Sequence, residues 1–412
     1  MSRNINTSFF YQKPKPIRFD LFTFYSSSTC YSRSMNKTDS AKYLGEAQEL
    51  AATVARRVDE IDEERQIPTD LFRDMADAGF FKLLVPESLG GAEIQPLVFF
   101  EIIRIFAQAD ASTAWCVNQN NIFATDAARM PTETAHKLWA DRYCVVTNGP
   151  PFEGTKAIQS EGGYRLSGHW DFSSGSSYST WLAARSPVEG DAGPPRMFLI
   201  PKADATMLDT WHVNGLRGTA SFSFELDDVF VDERHTYFES QVPHNDGLLF
   251  VIPKIPLFAL GFATISVALA RACLDDAIKL AARKAQRDVS DAMVNRSTVH
   301  RQIGEAEASL RAADTYLRGS ASDLWNSVCE NGQLDMTQRI DVRMASTYAI
   351  RQASQVVDVA YEMFGSDAVF KRNLLQRRYQ DMHVIVQQIQ GRATNFETAG
   401  RYFLGLDVGR IV

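Results

Sequence analysis

Apolar positions along this chain change their period twice. From Lys42 onward, Leu44, Ala47, Ala51, Val54, Val58 and Ile61 recur at spacings of three and four, with charged residues between them. That spacing predicts an amphipathic helix. Pro68 is a good first-turn residue and marks a second helix. The stretch Leu83–Gly91, LLVPESLGG, breaks the period with a proline and a Gly-Gly turn. Two further helical runs are expected over about 96–108 and 112–139.

Between Tyr143 and Gly247 the period shortens. Runs such as CVVTNG, YRLSGHWDF, TWLAARS, RMFLIP and SFSFELDDVFV alternate with turns, and Phe222, Phe224 and Leu226 share one face. This predicts a compact all-β unit, a barrel or a sandwich. From Phe250 the helices return and lengthen. Val299, Ile303, Ala306, Leu310, Ala313 and Leu317 form one seam, and Ala349, Ala353, Val356, Ala360 and Met363 form another. Such seams read as bundle core, with alanines allowing close helix approach. The expected organisation is an extension over 1–36, a helical domain over 37–142, a β domain over 143–249 and a helical bundle over 250–412.

Composition narrows the class. The 412 residues are 45% hydrophobic and 23% charged, with a formal net charge of −7. That is ordinary globular composition and argues against a nucleic-acid surface. The uncharged run Ile255–Ala270 is shorter than the roughly 18 residues of a membrane span and carries Pro256 and Gly261. A helix buried on all sides is expected there, and no membrane association. The five cysteines are scattered and show no metal-ligand spacing, so no zinc, no disulfide framework and a reducing, cytoplasmic setting are expected. The first 34 residues hold five Lys/Arg against Asp20 alone. They read as a disordered extension ahead of a start at Met35, or as a transit peptide; no amphipathic Arg face supports the latter.

The stretch Ser167–Trp181, SGHWDFSSGSSYSTW, carries the most chemical information. A strand-like run ends in hydroxyls and a glycine, beside Trp170 and Phe172. Such a turn offers N–H groups and hydroxyls to the polar edge of a planar heteroaromatic ring; a serine-rich β-turn without ligand is the plain alternative. No GxGxxG, Walker or GxSxG sequence is present. Among the histidines, His383 lies on a helix with Gln387 and Gln388 following, so it lines a polar cavity or is a satisfied buried histidine.

LVPESLGG, SGHWDFSSG, WHVNGLRGTASFSFELDDVFV and MFGSDAVFKRNLLQRRYQDMH occur in the order and spacing of the acyl-CoA dehydrogenase superfamily, which the chain resembles from about Leu44 to its end. The resemblance implies an α+β multidomain fold: an N-terminal all-α domain, a central β-barrel and a C-terminal four-helix bundle, with flavin between barrel and bundle at a subunit interface. The superfamily's catalytic Glu falls on Ile389, and the alternative location near Gly261–Ala263 holds no acid. An isoleucine cannot accept a proton, so dehydrogenation lacks its base.

The chain is similar to the superfamily's flavin-dependent monooxygenase branch, of the hydroxyphenylacetate-hydroxylase and dibenzothiophene-monooxygenase type, at Ser112–Cys116 (STAWC), WDFSSG and the Asp381–His383 helix. This implies an oxygenase component that takes reduced FMN or FAD from a separate flavin reductase by diffusion. Acting with dioxygen through a C4a-hydroperoxyflavin, it would oxygenate a small aromatic substrate: an indole, a phenol, or a sulfur or nitrogen compound. The implied catalytic residues are Ser174, His383 and Gln388. Flavin contacts fall on Asn148, Gly149, Trp170, Phe172, Ser173, Ser174, Phe364 and Gly365, with the ring against Trp170 and Phe172. Substrate contacts fall on Trp115, Asn120, Asn121 and Phe123. Where the branch often carries histidines, this chain shows Gln388 and the Asn120–Phe123 stretch, which favours a substrate needing no deprotonation. A homotetramer is expected from the alanine seam. The alternatives are an acyl-CoA dehydrogenase with a non-standard base and a non-catalytic flavin-binding oligomer.

Overall fold

The computed structural model describes residues 37–245, 247–283 and 292–409, so the expected extension over 1–36 lies outside the described residues. Among the described residues six helices come first: α1 (Lys37–Arg56), α2 (Val58–Glu64), α3 (Thr69–Asp77), α4 (Pro96–Ala109), α5 (Ala111–Ala124) and α6 (Thr132–Trp139). The single run expected over 112–139 is broken. Helix α5 loosens into a 3-10 turn over Thr125–Ala128, and Pro131 sits just before α6, where it starts a helix but cannot continue one. Asp110 caps α5 by accepting from Thr113 N.

Eight strands follow: β1 (Val146–Gly149), β2 (Lys156–Ser160), β3 (Gly163–Ser173), β4 (Trp181–Ser186), β5 (Arg196–Pro201), β6 (Thr206–Leu208), β7 (Phe222–Asp232) and β8 (Thr236–Tyr237). The expected closed barrel is not formed. The strands make two four-stranded sheets, β1-β4-β5-β8 and β2-β3-β7-β6. Isolated bridges such as Pro151 to Trp170 link them, rather than a continuous ladder. Leu166, Leu182, Phe198 and Phe224 fill the space between. The β3–β7 ladder shifts register between Trp170 and Ser173, and Phe172 in that bulge has φ +58°. The bulge turns the chain out of β3 into the serine-rich turn.

The bundle is α7 (Lys254–Ala281), α8 (Ser297–Asn331), α9 (Met336–Phe364) and α10 (Leu374–Gln387), followed by the short α11 (Thr394–Phe403). Helix α7 is long and apolar enough to cross a membrane, but most of it is buried inside the molecule. Helices α9 and α4 pack against it from two sides. The alanine seam of α9 is fully used within this packing: Ala349, Ala353 and Ala360 are completely buried in the single chain. It therefore supplies no argument for further subunits.

The three parts meet at one short segment, Gly215–Thr219. A Cβ on Gly215 would lie 2.2 Å from Gln380 O of α10, and one on Gly218 would lie 2.2 Å from Ile61 Cγ2 of α2. Only glycine permits these approaches. Arg217 Nε donates to Asp62 O at 3.2 Å, tying the segment to α2. Leu216 N donates to Asp381 Oδ1 of α10 at 2.6 Å.

Candidate active site

The serine-rich turn is built from the inside. Ser174 is 4% exposed. Its carbonyl accepts from Thr147 Oγ1 at 2.6 Å and Asn120 Nδ2 at 3.2 Å. Its Oγ accepts from Trp115 Nε1 at 3.1 Å and lies 2.8 Å from Ser221 Oγ. Ser221 Oγ is 2.7 Å from Thr219 Oγ1, which donates to Leu216 O at 2.9 Å. Lys202 Nζ donates to the carbonyls of Ser176 and Ser177 at 2.5 and 2.9 Å. Burial holds that ammonium below the ordinary lysine range.

The hydroxyl chain has a direction. Thr219 spends its one hydrogen on Leu216 O. The Thr219–Ser221 contact then needs the hydrogen of Ser221, and the Ser221–Ser174 contact needs that of Ser174. Ser174 Oγ already accepts from Trp115, so its remaining capacity is a lone pair. The turn offers an acceptor.

Asp381 anchors the far end. Burial, and next the repulsion of Asp110, push its carboxyl up to about 8, against the weaker lowering by Leu216 N–H. At neutral pH it holds Leu216 largely as a neutral acid. Leu216 and Ala220 are non-glycine residues with φ +52° and +43°. Together with Phe172 they make three left-handed residues around Ser174, a concentration of backbone strain that its surroundings must hold.

The residues expected to contact flavin divide. Ser173 is fully buried and its Oγ has no partner. A Cβ on Gly149 would come 2.8 Å from that Oγ and 2.0 Å from Asp171 O, so this approach demands glycine. Asn148 Oδ1 accepts from Gln119 Nε2 at 3.1 Å. The Gly149 contact is strand β1 closing on strand β3, and the orphaned Ser173 hydroxyl beside it is a group that the polar edge of a flavin would satisfy. Phe172 is 59% exposed and free to offer a face. Trp170 is not. It is fully buried, stacks on Phe224 at 5.0 Å and 8°, and donates to Arg185 O at 3.1 Å. It belongs to the core between the sheets, because alternation along β3 turns it inward. Phe364 and Gly365 close α9, with Gly365 at φ +60°.

The expected substrate residues also divide. Trp115 stacks on Phe262 at 4.0 Å, and Phe262 stacks on Phe258 at 5.8 Å. Asn120 is spent on the turn, donating to Ser174 O and accepting from Tyr178 OH at 2.9 Å. Asn121 is fully buried and fully bonded. Its Oδ1 takes Leu83 N, and its Nδ2 gives to Phe80 O and Val117 O. It holds the LLVPESLGG loop and cannot meet a ligand. Phe123 is 1% exposed in a second core cluster, beneath Lys254 Nζ at 4.2 Å. His383 Nε2 is 3.0 Å from Asp358 Oδ1, and the ring packs on Tyr379 at 4.3 Å. Gln388 caps the 3-10 turn Ile389–Gly391 through Gln390 N at 3.1 Å, leaving its Nε2 buried without a partner.

Sequence reasoning missed Thr219, Ser221, Lys202 and Asn118. Asn118 lies one turn after Trp115, fully buried with both amide atoms unpartnered, where Gly261 lets α7 approach. Gly261 inside an apolar helix was the available signal. It missed also His169, held between Asp171 at 2.7 Å and Glu225 at 3.0 Å. Burial would lower this imidazole, and the two carboxylates outweigh it and raise it.

Comparison with known proteins agrees with this architecture. The family described as Acyl-CoA dehydrogenase, N-terminal domain, matches residues 41–145, and Acyl-CoA dehydrogenase, C-terminal domain, matches residues 260–390. The chain belongs to the acyl-CoA dehydrogenase family. It is 27% identical over 351 residues to an indole-3-acetate monooxygenase of Pseudomonas putida, covering 85% of this chain and 90% of that one. It is 28% identical over 373 residues to a pigment production hydroxylase of a Rhodococcus species, covering 87% and 95%. Among solved structures, XiaF from Streptomyces sp. in complex with FADH2 and glycerol superposes with a TM-score of 0.82 at 22% identity, covering 91% and 98%.

Proposed function

We propose that this chain is the oxygenase component of a two-component flavin-dependent monooxygenase acting on a small aromatic substrate. The observation that carries it is the directed hydroxyl chain Ser174–Ser221–Thr219, which ends on Leu216 O and leaves Ser174 as an acceptor. An acceptor matches a flavin whose N5 bears hydrogen, the reduced form; oxidised flavin presents an acceptor there, and two acceptors repel. Reduced FMN or FAD, when bound, supplies the activation of dioxygen, one atom of which enters the substrate. The chain's residues position and shield. Ser173 Oγ receives the polar edge. Trp115 holds Ser174 and, with Phe262 and Phe258, presents an aromatic wall that excludes water.

Among the described residues no carboxylate takes the place of the dehydrogenase base. Ile389 is 59% exposed, and the α7 segment Gly261–Ala263 is buried without an acid. The dehydrogenase alternative gains no support from the structure. Asp358 holds the His383 ring in one orientation through Nε2.

A separate reductase supplies the flavin by diffusion, and the enzyme works in the cytoplasm. It is a homo-oligomer, for which the best support is the exposed apolar end of the chain: Phe403, Leu404 and Leu406 are 66%, 76% and 51% exposed. Purified protein given chemically reduced FMN or FAD, labelled dioxygen and a panel of indoles, phenols and sulfides is expected to place one label in a product. Label found only in water and peroxide, with oxidation of an acyl thioester, would overturn the proposal.

A further inference from the structure

The partly buried arginines of the helical parts fall into two groups. Arg318 meets Glu101 at 2.5 Å, Arg104 meets Asp314 at 2.7 Å, Arg271 meets Glu307 at 2.5 Å and Arg378 meets Asp276 at 2.6 Å. Arg343 on α9 is different. Its only polar contact is from Nη1 to Asn395 Oδ1 at 3.3 Å, and no carboxylate lies within 4 Å among the described residues. Burial holds its guanidinium below the ordinary arginine range, with no neighbouring charge to oppose it. Arg339 stands one turn earlier on the same helix, also without an ion pair among the described residues.

Both arginines line one cavity of about 250 Å³, between the start of α7, α9 and the Ile389–Gly391 turn. Ile255, Ala259 and Ile389 give it an apolar side. Gln390 also lines it, is 8% exposed, and has a side-chain Oε1 without a partner. Oε1 accepts and would repel an anion, but a half-turn of the amide about its last bond presents the NH2 in its place. Two cations, and an amide that can turn its NH2 toward them, around an apolar hollow suit a bidentate anion on an apolar body.

We propose that this cavity is an anion subsite, in which Arg343 and Arg339 hold a carboxylate or phosphate while Ile255, Ala259 and Ile389 pack against the attached apolar group. Two sources offer that chemistry: an acidic side arm on the aromatic substrate, and the phosphate of the flavin. Assigning either source rests on the function proposed above, whereas binding itself does not.

The test is equilibrium binding to the full-length protein, without turnover, using two matched pairs: indole-3-acetate against 3-methylindole, and FMN against riboflavin. The expected result is about tenfold tighter binding of the anionic member of one pair. Arg343→Gln should abolish the preference, Arg343→Lys should keep part of it, and the neutral member should be unaffected. Preference in the indole pair assigns the substrate's acid; preference in the flavin pair assigns the phosphate. No preference in either pair overturns the proposal. So does a preference that survives Arg343→Gln, or a variant whose only change is in oligomeric mass. Arg339→Gln, read the same way, serves if Arg343→Gln does not fold. Retained label incorporation into a neutral indole without any anion preference would leave the monooxygenase standing and remove the subsite. Anion preference without oxygen incorporation would do the reverse.

Discussion

The serine turn and the cavity beside Arg343 treat polar atoms in opposite ways. At the turn, most donors are matched: the hydroxyls of Thr147, Ser174, Thr219 and Ser221, the Trp115 indole N–H, the Asn120 amide and Lys202 converge on a few residues, and Ser173 Oγ and Ser177 Oγ are left over. At the cavity a guanidinium is half out of water with one weak contact, and an amide oxygen has none. Bonded polar networks fix a geometry, whereas unspent ones lower stability until a ligand completes them. The turn is a rigid cradle finished during folding. The cavity is finished by something else.

The largest effect is expected where the cradle is held from outside. Gly215→Ala would place a methyl 2.2 Å from Gln380 O, a backbone atom that cannot step aside. A loss of about 3 kcal/mol is expected, at the upper end for overpacking. The thermal midpoint and flavin affinity should fall together. A folded variant with unchanged flavin affinity would show that the cradle does not depend on the α10 contact.

Next is Ser221→Ala, which removes the middle of the hydroxyl chain. Ser174 then keeps an unspent hydrogen, and Thr219 loses a donor. The expected cost is about 1–3 kcal/mol by denaturant unfolding. The hydrogen freed on Ser174 can now face oxidised N5, so the affinity ratio of reduced to oxidised flavin should shrink. An unchanged ratio, measured by anaerobic titration, would mean that the chain's direction does not select the redox state.

These residues also mark how much was legible in the sequence. The seams of α8 and α9 and the β-rich centre followed from periodicity alone, because burial on one face imposes a repeat. Trp170 was misplaced because strand alternation does not say which face meets the other sheet. Asn121 and Phe123 were misplaced for a related reason. An amide on a helix looks the same whether its partners are a ligand or the LLVPESLGG backbone 37 and 38 positions away in sequence. Thr219 and Ser221 were quoted within a resemblance but given no role, since their link to Ser174 crosses 47 positions of chain. The Arg343 cavity was invisible because a helix sequence shows its arginines and not the carboxylates they lack.

Asp381→Asn tests the anchor through pH. A carboxyl raised from its ordinary 3.8 to about 8 keeps its proton on folding. The folded state then binds more protons than the unfolded one across that window, so wild-type stability falls as pH rises through it. Asparagine preserves the acceptor for Leu216 N and removes the titration. The variant's melting point is expected to exceed wild type at about pH 5.5 and by a wider margin at about pH 8.5. A variant less stable at both values would show that Asp381 works as a carboxylate.

The smallest expected effect is the most discriminating. Gln390→Leu removes the unpartnered Oε1 and keeps the backbone carbonyl that accepts from Thr347 Oγ1 at 2.8 Å and Asn395 Nδ2 at 3.2 Å. Leucine fills a similar volume and leaves no buried polar atom unmatched. Stability should therefore hold or rise, within about 0.5–1 kcal/mol. If the amide is kept for an anion, binding of the charged member of the preferred pair should weaken at the same time. Ser221→Ala is expected to lose stability and flavin selectivity together, since the cradle's bonds serve both. Gln390→Leu should separate them, gaining or keeping stability while losing affinity, as expected where a polar group is retained for a ligand rather than for the fold. A substantial loss of stability would mean that Gln390 already has its partner within the protein, and the contrast between the two regions would fail at the cavity.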